Sequence, residues 1–387
     1  ANEEEVYDRI IEVLNVVGLA EDIYAFGLRG TVEPTEKPEL ANEIVRVRQA
    51  LRSRIGSSHL SQLVAPFDLA AYNQQATIGE NLLFGTPVGP TFATENLATN
   101  GYFLEVLDQT ALHEPLLEMG HRIASTVVEL FADLPPDHPF FDQVSFMTAD
   151  DLPEYDAIVT RTSGADLKDA SEQDRAKLLS LPFSYVGPRH RLGLLDEELE
   201  NKILEARGQF HKNLPPADTG AIEFYEADRY NAASSLKDNF LFGRVAYGTA
   251  EAEERVSAAI REVLEELDLV SSVFEVGLQF NVGTGGKRLN QNQRQQIGLA
   301  RALLKRPDLI VVNRALAAVE DTAQIKLLRS IKTALRADGR RIGIFWVLSR
   351  DDLAVEFETV LEFDQGRMVR QYAPVDKTPA TETEPAQ

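Results

Sequence analysis

Three stretches of this chain carry the same residues at the same offsets, and this constrains its fold more than any other feature. Around Glu12 the chain reads EVLNVVGLAEDIYAFG, around Glu105 EVLDQTALHEPLLEMG, and around Glu262 EVLEELDLVSSVFEVG. The shared sets are Glu12, Val13, Leu14, Leu19 and Gly27; Glu105, Val106, Leu107, Leu112 and Gly120; and Glu262, Val263, Leu264, Leu269 and Gly277. The Val and Leu positions predict an amphipathic helix, and the glycine predicts a left-handed helix stop. A second block precedes copies two and three. Tyr72-Asn73 leads to Asn81-Leu82-Leu83-Phe84-Gly85, and Tyr230-Asn231 leads at the same spacing to Asn239-Phe240-Leu241-Phe242-Gly243. The first copy lacks this block, which reads as a fragment of something longer.

At 387 residues the chain exceeds the usual single-domain range. Lys and Arg number 39 against 61 Asp and Glu, a net charge of −22. Such a chain repels phosphate backbones and anionic lipid heads, so a nucleic-acid partner and a polybasic membrane contact are both disfavoured. The absence of cysteine excludes disulfides, thiolate metal sites and a thiol nucleophile. Apolar runs such as Ile342 to Leu348 fall far short of the roughly 20 residues that span a bilayer, so no direct membrane insertion is expected. His113-Glu114 has the start of a zinc-protease motif, but Leu117 stands where the second histidine would be, and no metal site is expected. Arg189-His190-Arg191 reads as a basic loop that pairs with nearby carboxylates.

The chain divides by texture into residues 1–60 (helical copy one), 61–146 (copy two), 147–220 (a helical connector), 221–371 and a tail at 372–387. The tail is rich in Pro, Thr and Glu without apolar periodicity and is predicted to be disordered. The alternation of charge and apolar residues over Leu194 to Phe210 predicts a solvent-facing helix. Leu309 to Val312 and Ile342 to Leu348 read as buried strands that alternate with helices, the pattern of a parallel α/β unit. Thr359 to Phe363, the turn Asp364-Gln365-Gly366 and Arg367 to Gln371 predict a terminal hairpin.

Residues Leu289 to Glu320, LNQNQRQQIGLARALLKRPDLIVVNRALAAVE, resemble the signature-to-Walker-B region of an ATP-binding cassette (ABC) transporter ATPase. Thr77 to Gly85 resembles the stretch that follows the Q-loop in that family, and Val360 to Gln371 its closing hairpin. The resemblance implies a predominantly helical α/β fold. Repeated ABC-type helical subdomains would be followed by a partial P-loop-NTPase-like portion over 221–371. Aromatics Tyr72, Phe84, Tyr230 and Phe242 are then either core anchors or a docking surface for the membrane domain.

Against the family's pattern, nearly every chemical position differs. The Walker A loop, whose backbone N–H groups and Lys cradle phosphates, is missing. The one Gly-Gly-Lys is Gly285-Gly286-Lys287, but Asn281 replaces its first glycine and Arg288 its Ser/Thr. In the signature, Leu289 and Gln293 match, while Asn290, Gln291 and Asn292 replace Ser-Gly-Gly and place side chains where the backbone would approach the γ-phosphate. The Walker B acid is Asn313, which has no formal charge to hold Mg²⁺. The catalytic glutamate position is Arg314, which cannot act as a general base. The switch histidine position is Ser349, which cannot relay a proton as imidazole does. Gln62, Gln74 and Gln75 lack the spacing to Thr77 of a Q-loop glutamine.

The resemblance thus implies a degenerate cassette that does not hydrolyse ATP and supports or regulates a competent one. Its partners would be that ATPase cassette and a transporter membrane domain, at the cytoplasmic face of a membrane. No cofactor is required, although ATP could be bound weakly or shared with a partner cassette. Two alternatives stay open: a structural interaction scaffold derived from cassettes, and an ATPase part whose Walker A lies outside this chain.

Overall fold

The structure, a computed structural model, describes residues 3–131, 134–135, 147–164, 166–313, 319, 321–336, 342–348 and 350–374. It is predominantly helical. Helices α1 (Glu3–Val16), α2 (Ala20–Arg29) and α3 (Pro38–Gly56) precede strand β1 (Val64–Pro66). A short α4 (Ile78–Leu83) runs into β2 (Gly85–Pro87), followed by α5 (Gly101–Gln109) and α6 (His113–Phe131). The middle holds α7 (Leu152–Thr162), α8 (Glu172–Phe183), α9 (Gly187–His190) and α10 (Glu197–Lys212). Then come β3 (Ile222–Phe224), α11 (Leu236–Leu241), β4 (Gly243–Val245), α12 (Ala252–Glu266) and α13 (Val270–Leu278). Last are α14 (Gln291–Leu304), β5 (Leu309–Asn313), α15 (Asp321–Arg336), β6 (Gly343–Val347), β7 (Val360–Asp364) and β8 (Arg367–Tyr372). Residues 27–277 form one compact unit, and residues 1–26 with 278–387 form the other.

In the 27–277 unit, α3 starts on Pro38, whose fixed φ suits a first helical turn. It buries Ile44, Val47, Leu51 and Ile55, a stripe at helical spacing. The strands that flank α4 pair with those that flank α11: β1 runs antiparallel to β4, with Val64 opposite Val245, and β2 antiparallel to β3, with Gly85 opposite Phe224. Each pair is only three residues long and draws its stability from the packing around it. Thr77 and Glu80 cap α4 reciprocally, and Ser235 accepts from the Asp238 N–H at the start of α11. The core beneath is mainly aliphatic and includes edge-on aromatic contacts between Phe103 and Phe183 at 5.3 Å and between Phe92 and Phe210 at 5.2 Å.

Several sequence expectations need correction here. Gly27, Gly120 and Gly277 do not stop helices; they lie inside α2, α6 and α13. At Gly27 and Gly120 the reason is close packing. A Cβ on Gly120 would come 1.9 Å from the Leu178 carbonyl oxygen of α8, and one on Gly27 2.0 Å from that of Val273 in α13. The helix expected to face solvent, α10, buries Ile203, Ala206, Arg207 and Phe210. Of the four repeated aromatics, Phe84, Tyr230 and Phe242 are buried, and Tyr72 packs half-buried against the core. They are core anchors. Arg189 lies 5.5 Å above the Tyr247 ring, Arg191 donates to the Pro188 carbonyl, and His190 Nδ1 accepts from the Val186 N–H.

In the other unit α1 packs on α14 and α15. Strands β5 and β6 run parallel in register from Leu309 opposite Gly343 to Asn313 opposite Val347, as the α/β reading expects. They are not buried on both faces. Ile310 and Val312 turn inward, whereas Leu309, Val311, Phe345 and Val347 face outward at 46 to 67% exposure. The terminal hairpin forms as predicted, turning on Gln365 and Gly366, both at positive φ. The predicted disordered tail lies, from residue 375 onward, outside the described residues.

Gly120→Ala will destabilise the chain by about 1–3 kcal/mol, because α6 and α8 must separate to admit the methyl. Gly208→Ala in α10, where nothing lies within 4 Å of the added Cβ, will be neutral or stabilising by up to about 1 kcal/mol. Chemical denaturation of the two variants beside the parent checks the contrast.

Candidate functional site

The residues that match the signature sit at the start of α14. Leu289 is buried and anchors the turn, Asn290 and Gln291 are exposed, and Asn292 and Gln293 are half-buried. Asn290 is the N-cap: its Oδ1 accepts from the Gln293 N–H at 2.9 Å. Gln293 returns the contact, its Oε1 accepting from the Asn290 N–H at 3.0 Å. The Gln293 amide then donates 2.6 Å to Asp22, and Gln296 donates 2.9 Å to the Val17 carbonyl. The orphan N–H groups of a helix N-terminus are what bind an anion in this kind of site. Here the chain's own amide takes one of them, and a carboxylate stands beside the positive end of the helix.

The Gly-Gly-Lys segment is folded on itself. Gly283, Gly285 and Gly286 all have positive φ, and the Gly286 and Leu289 N–H groups donate to the carbonyls of Gly283 and Gly286. The Gly283 N–H donates to Asn281 Oδ1 and that of Arg288 to the Val282 carbonyl. A phosphate cradle needs those donors pointing outward together. Asn313 ends β5, exposed and opposite Val347. Arg314 and Ser349 lie outside the described residues. Among the described residues no group of three His, Asp or Glu side chains could hold a metal ion.

A second cluster, in the 27–277 unit, was missed by sequence reasoning. Arg48, buried on the apolar stripe of α3, donates through Nε to the Asn239 carbonyl at 2.8 Å and through Nη2 to Asn239 Oδ1 at 3.0 Å. Its Nη1 reaches the carbonyls of Glu226, Ala227 and Arg229 at 2.8 to 2.9 Å. Arg207 on α10 repeats every contact: Nε to the Asn81 carbonyl at 2.7 Å, Nη2 to Asn81 Oδ1 at 2.9 Å, and Nη1 to Asp68, Leu69 and Ala71. Each guanidinium also lies over a repeated phenylalanine, Arg48 at 4.4 Å from the Phe242 ring centre and Arg207 at 4.5 Å from that of Phe84. Burial lowers both guanidinium pKa values to about 10, which leaves the groups charged at neutral pH.

Each phenylalanine ends its helix in the left-handed region, at φ 44 for Phe84 and 42 for Phe242. That conformation costs a residue with a Cβ about 1–2 kcal/mol, and burial under the guanidinium offsets it. Between the two clusters Phe67 and Tyr225 stack at 4.3 Å. The available signal was a charged residue in phase with an apolar stripe, Arg48 four after Ile44 and Arg207 four after Ile203.

Comparison with known proteins gives the class first. Over about a third or more of its length this chain is similar to ATP-binding and ATP-binding/permease proteins of ABC transporters. It is 29% identical over 159 residues to the heterocyst differentiation ATP-binding protein HepA of Nostoc, a match that covers 39% of this chain and 25% of that protein. To an ATP-dependent lipid A-core flippase of Xylella fastidiosa (strain Temecula1) it is 32% identical over 142 residues, 37% of this chain and 23% of the flippase. To the ATP-binding cassette transporter abc1 of Schizosaccharomyces pombe it is 29% identical over 130 residues, 33% of this chain and 9% of the transporter. The chain thus spans a quarter or less of the length of these relatives. No protein-family profile and no solved structure matches it.

Asn290→Ala will cost about 1 kcal/mol by uncapping α14, whereas Asn290→Ser will cost much less. Amide exchange at Gln293, followed in both variants, separates the loss of this cap from a general loosening.

Proposed function

We propose that this chain is a non-catalytic region of an ABC-type transporter ATPase that braces or regulates a competent cassette. The observation that carries this reading is the start of α14. One of the N–H groups at the helix start is taken by Asn290, and Asp22 sits beside it through Gln293. An incoming phosphate would have to displace the cap and tolerate a neighbouring carboxylate. Three of the sequence changes act in the same direction: Asn313 brings no charge for Mg²⁺, Arg314 cannot accept a proton, and Ser349 cannot relay one. Together with Leu289, Gln291 and Asn292 these positions keep the scaffold of the cassette without its chemistry.

The partners that fit are a competent ATPase cassette and the membrane domain of the transporter. Relatives whose names join ATP-binding with permease support the second. Among the described residues no helix is long and apolar enough to cross a membrane. A second reading takes its support from β5 and β6. A parallel pair with a bare apolar face suits a sheet that other strands complete, and those strands could bring a phosphate loop from outside this chain.

Calorimetric titration with Mg-ATP tests the first reading. The parent chain will show no binding at millimolar nucleotide, and Asn313→Asp with Arg314→Glu will not restore it, because neither change supplies the phosphate loop. Micromolar binding by the parent chain would overturn the proposal.

A further inference from the structure

We infer that the 27–277 unit is an internal pair of one module, in which each copy locks the other's loop with a buried arginine. The first copy runs from α3 through β1, α4 and β2, and the second from α10 through β3, α11 and β4. The exchange is complete. Arg48 of the first copy closes the loop 225–235 of the second, and Arg207 of the second closes the loop 67–77 of the first. The strands cross in the same way, β1 to β4 and β2 to β3. The Phe67 N–H donates to the Phe242 carbonyl and the Tyr225 N–H to that of Phe84, which ties each strand end to the other copy's left-handed phenylalanine.

The carbonyls each arginine gathers occupy matching places in the two loops: Asp68, Leu69 and Ala71 before Asn73, and Glu226, Ala227 and Arg229 before Asn231. Within each loop the asparagine pair holds the turn. Asn81 Oδ1 accepts from the Asn73 N–H and Asn239 Oδ1 from the Asn231 N–H, both at 2.9 Å. Converging carbonyls repel one another unless a cation sits among them, and the planar five-donor fork of arginine serves several at once. A loop so built depends on a group that its own copy does not contain. This device is independent of whether the chain binds nucleotide.

Hydrogen exchange on the full chain tests the crossing. In Arg48→Lys, which keeps the charge but not the fork, amides of 225–235 will exchange about ten- to a hundredfold faster while those of 67–77 hold their rates. In Arg207→Lys the two loops will change places. Loosening confined to 67–77 in Arg48→Lys, equal loosening of both loops in both variants, or no change in either would overturn the inference. Should a lysine variant fail to fold, exchange of the parent chain in low denaturant carries the same test. Amides of 225–235 will then open together with those of α3, and those of 67–77 with those of α10; opening of each loop with the helix of its own copy would overturn it.

Discussion

A guanidinium taken out of water must find an acceptor for each of its N–H groups, and the 27–277 unit is arranged around two that have done so. Arg48 and Arg207 sit where the pattern of their helices calls for apolar side chains, at 3 and 1% exposure. Everything near them follows from that burial. Five oxygens are drawn toward each, the loop that supplies them is bent into place, and a phenylalanine is held beneath the charge in a conformation it would otherwise avoid. The three-residue strands could not hold such an arrangement by their own hydrogen bonds. They are the product of the packing.

The matching is not perfect, and its exception is informative. Arg244 on β4 pairs with Glu80 at 2.5 Å and with Asp238 at 2.8 Å, and its guanidinium lies 5.2 Å from the Phe67 ring centre. The corresponding place on β2 holds Thr86, which meets Ser234 and the Tyr225 hydroxyl instead. Both solutions satisfy polar groups where strands from different halves of the unit meet. One uses charge and the other hydroxyls. The two contacts are therefore not interchangeable, and exchanging Thr86 and Arg244 would not be neutral.

Much of this plan was legible in the sequence, and the part that was not has a physical explanation. The Asn81 and Asn239 blocks, the parallel pair at 309 to 347 and the terminal hairpin announce themselves through spacing, since local pattern decides them. Gly27 and Gly120 were misread because a glycine at the end of an apolar pattern signals a stop when no neighbour is known. The carbonyl oxygens of Val273 and Leu178 that require the missing Cβ are distant in sequence. Arg48 and Arg207 were missed for the same reason: a charged residue on a helix is read as solvated until the loop that receives it is known. The outward side of β5 and β6 was misread because an apolar run shows that a strand suits burial, not that a second layer is present to cover it.

At the start of α14 the N-cap sits where an anion would have to approach. The side chain of Asn290 provides an acceptor that a helix N-terminus lacks, and in doing so occupies one of the donors an anion could use, as a serine there would also do. Stabilising the helix and holding an anion here draw on the same set of donors. A residue that leaves the donor open would give up cap energy in exchange for the capacity to bind. Asp22 strengthens the bias, because its carboxylate favours the helix dipole with no anion present and opposes any that arrives. The competition between cap and anion is weighted here by Asp22 and not by the identity of the cap.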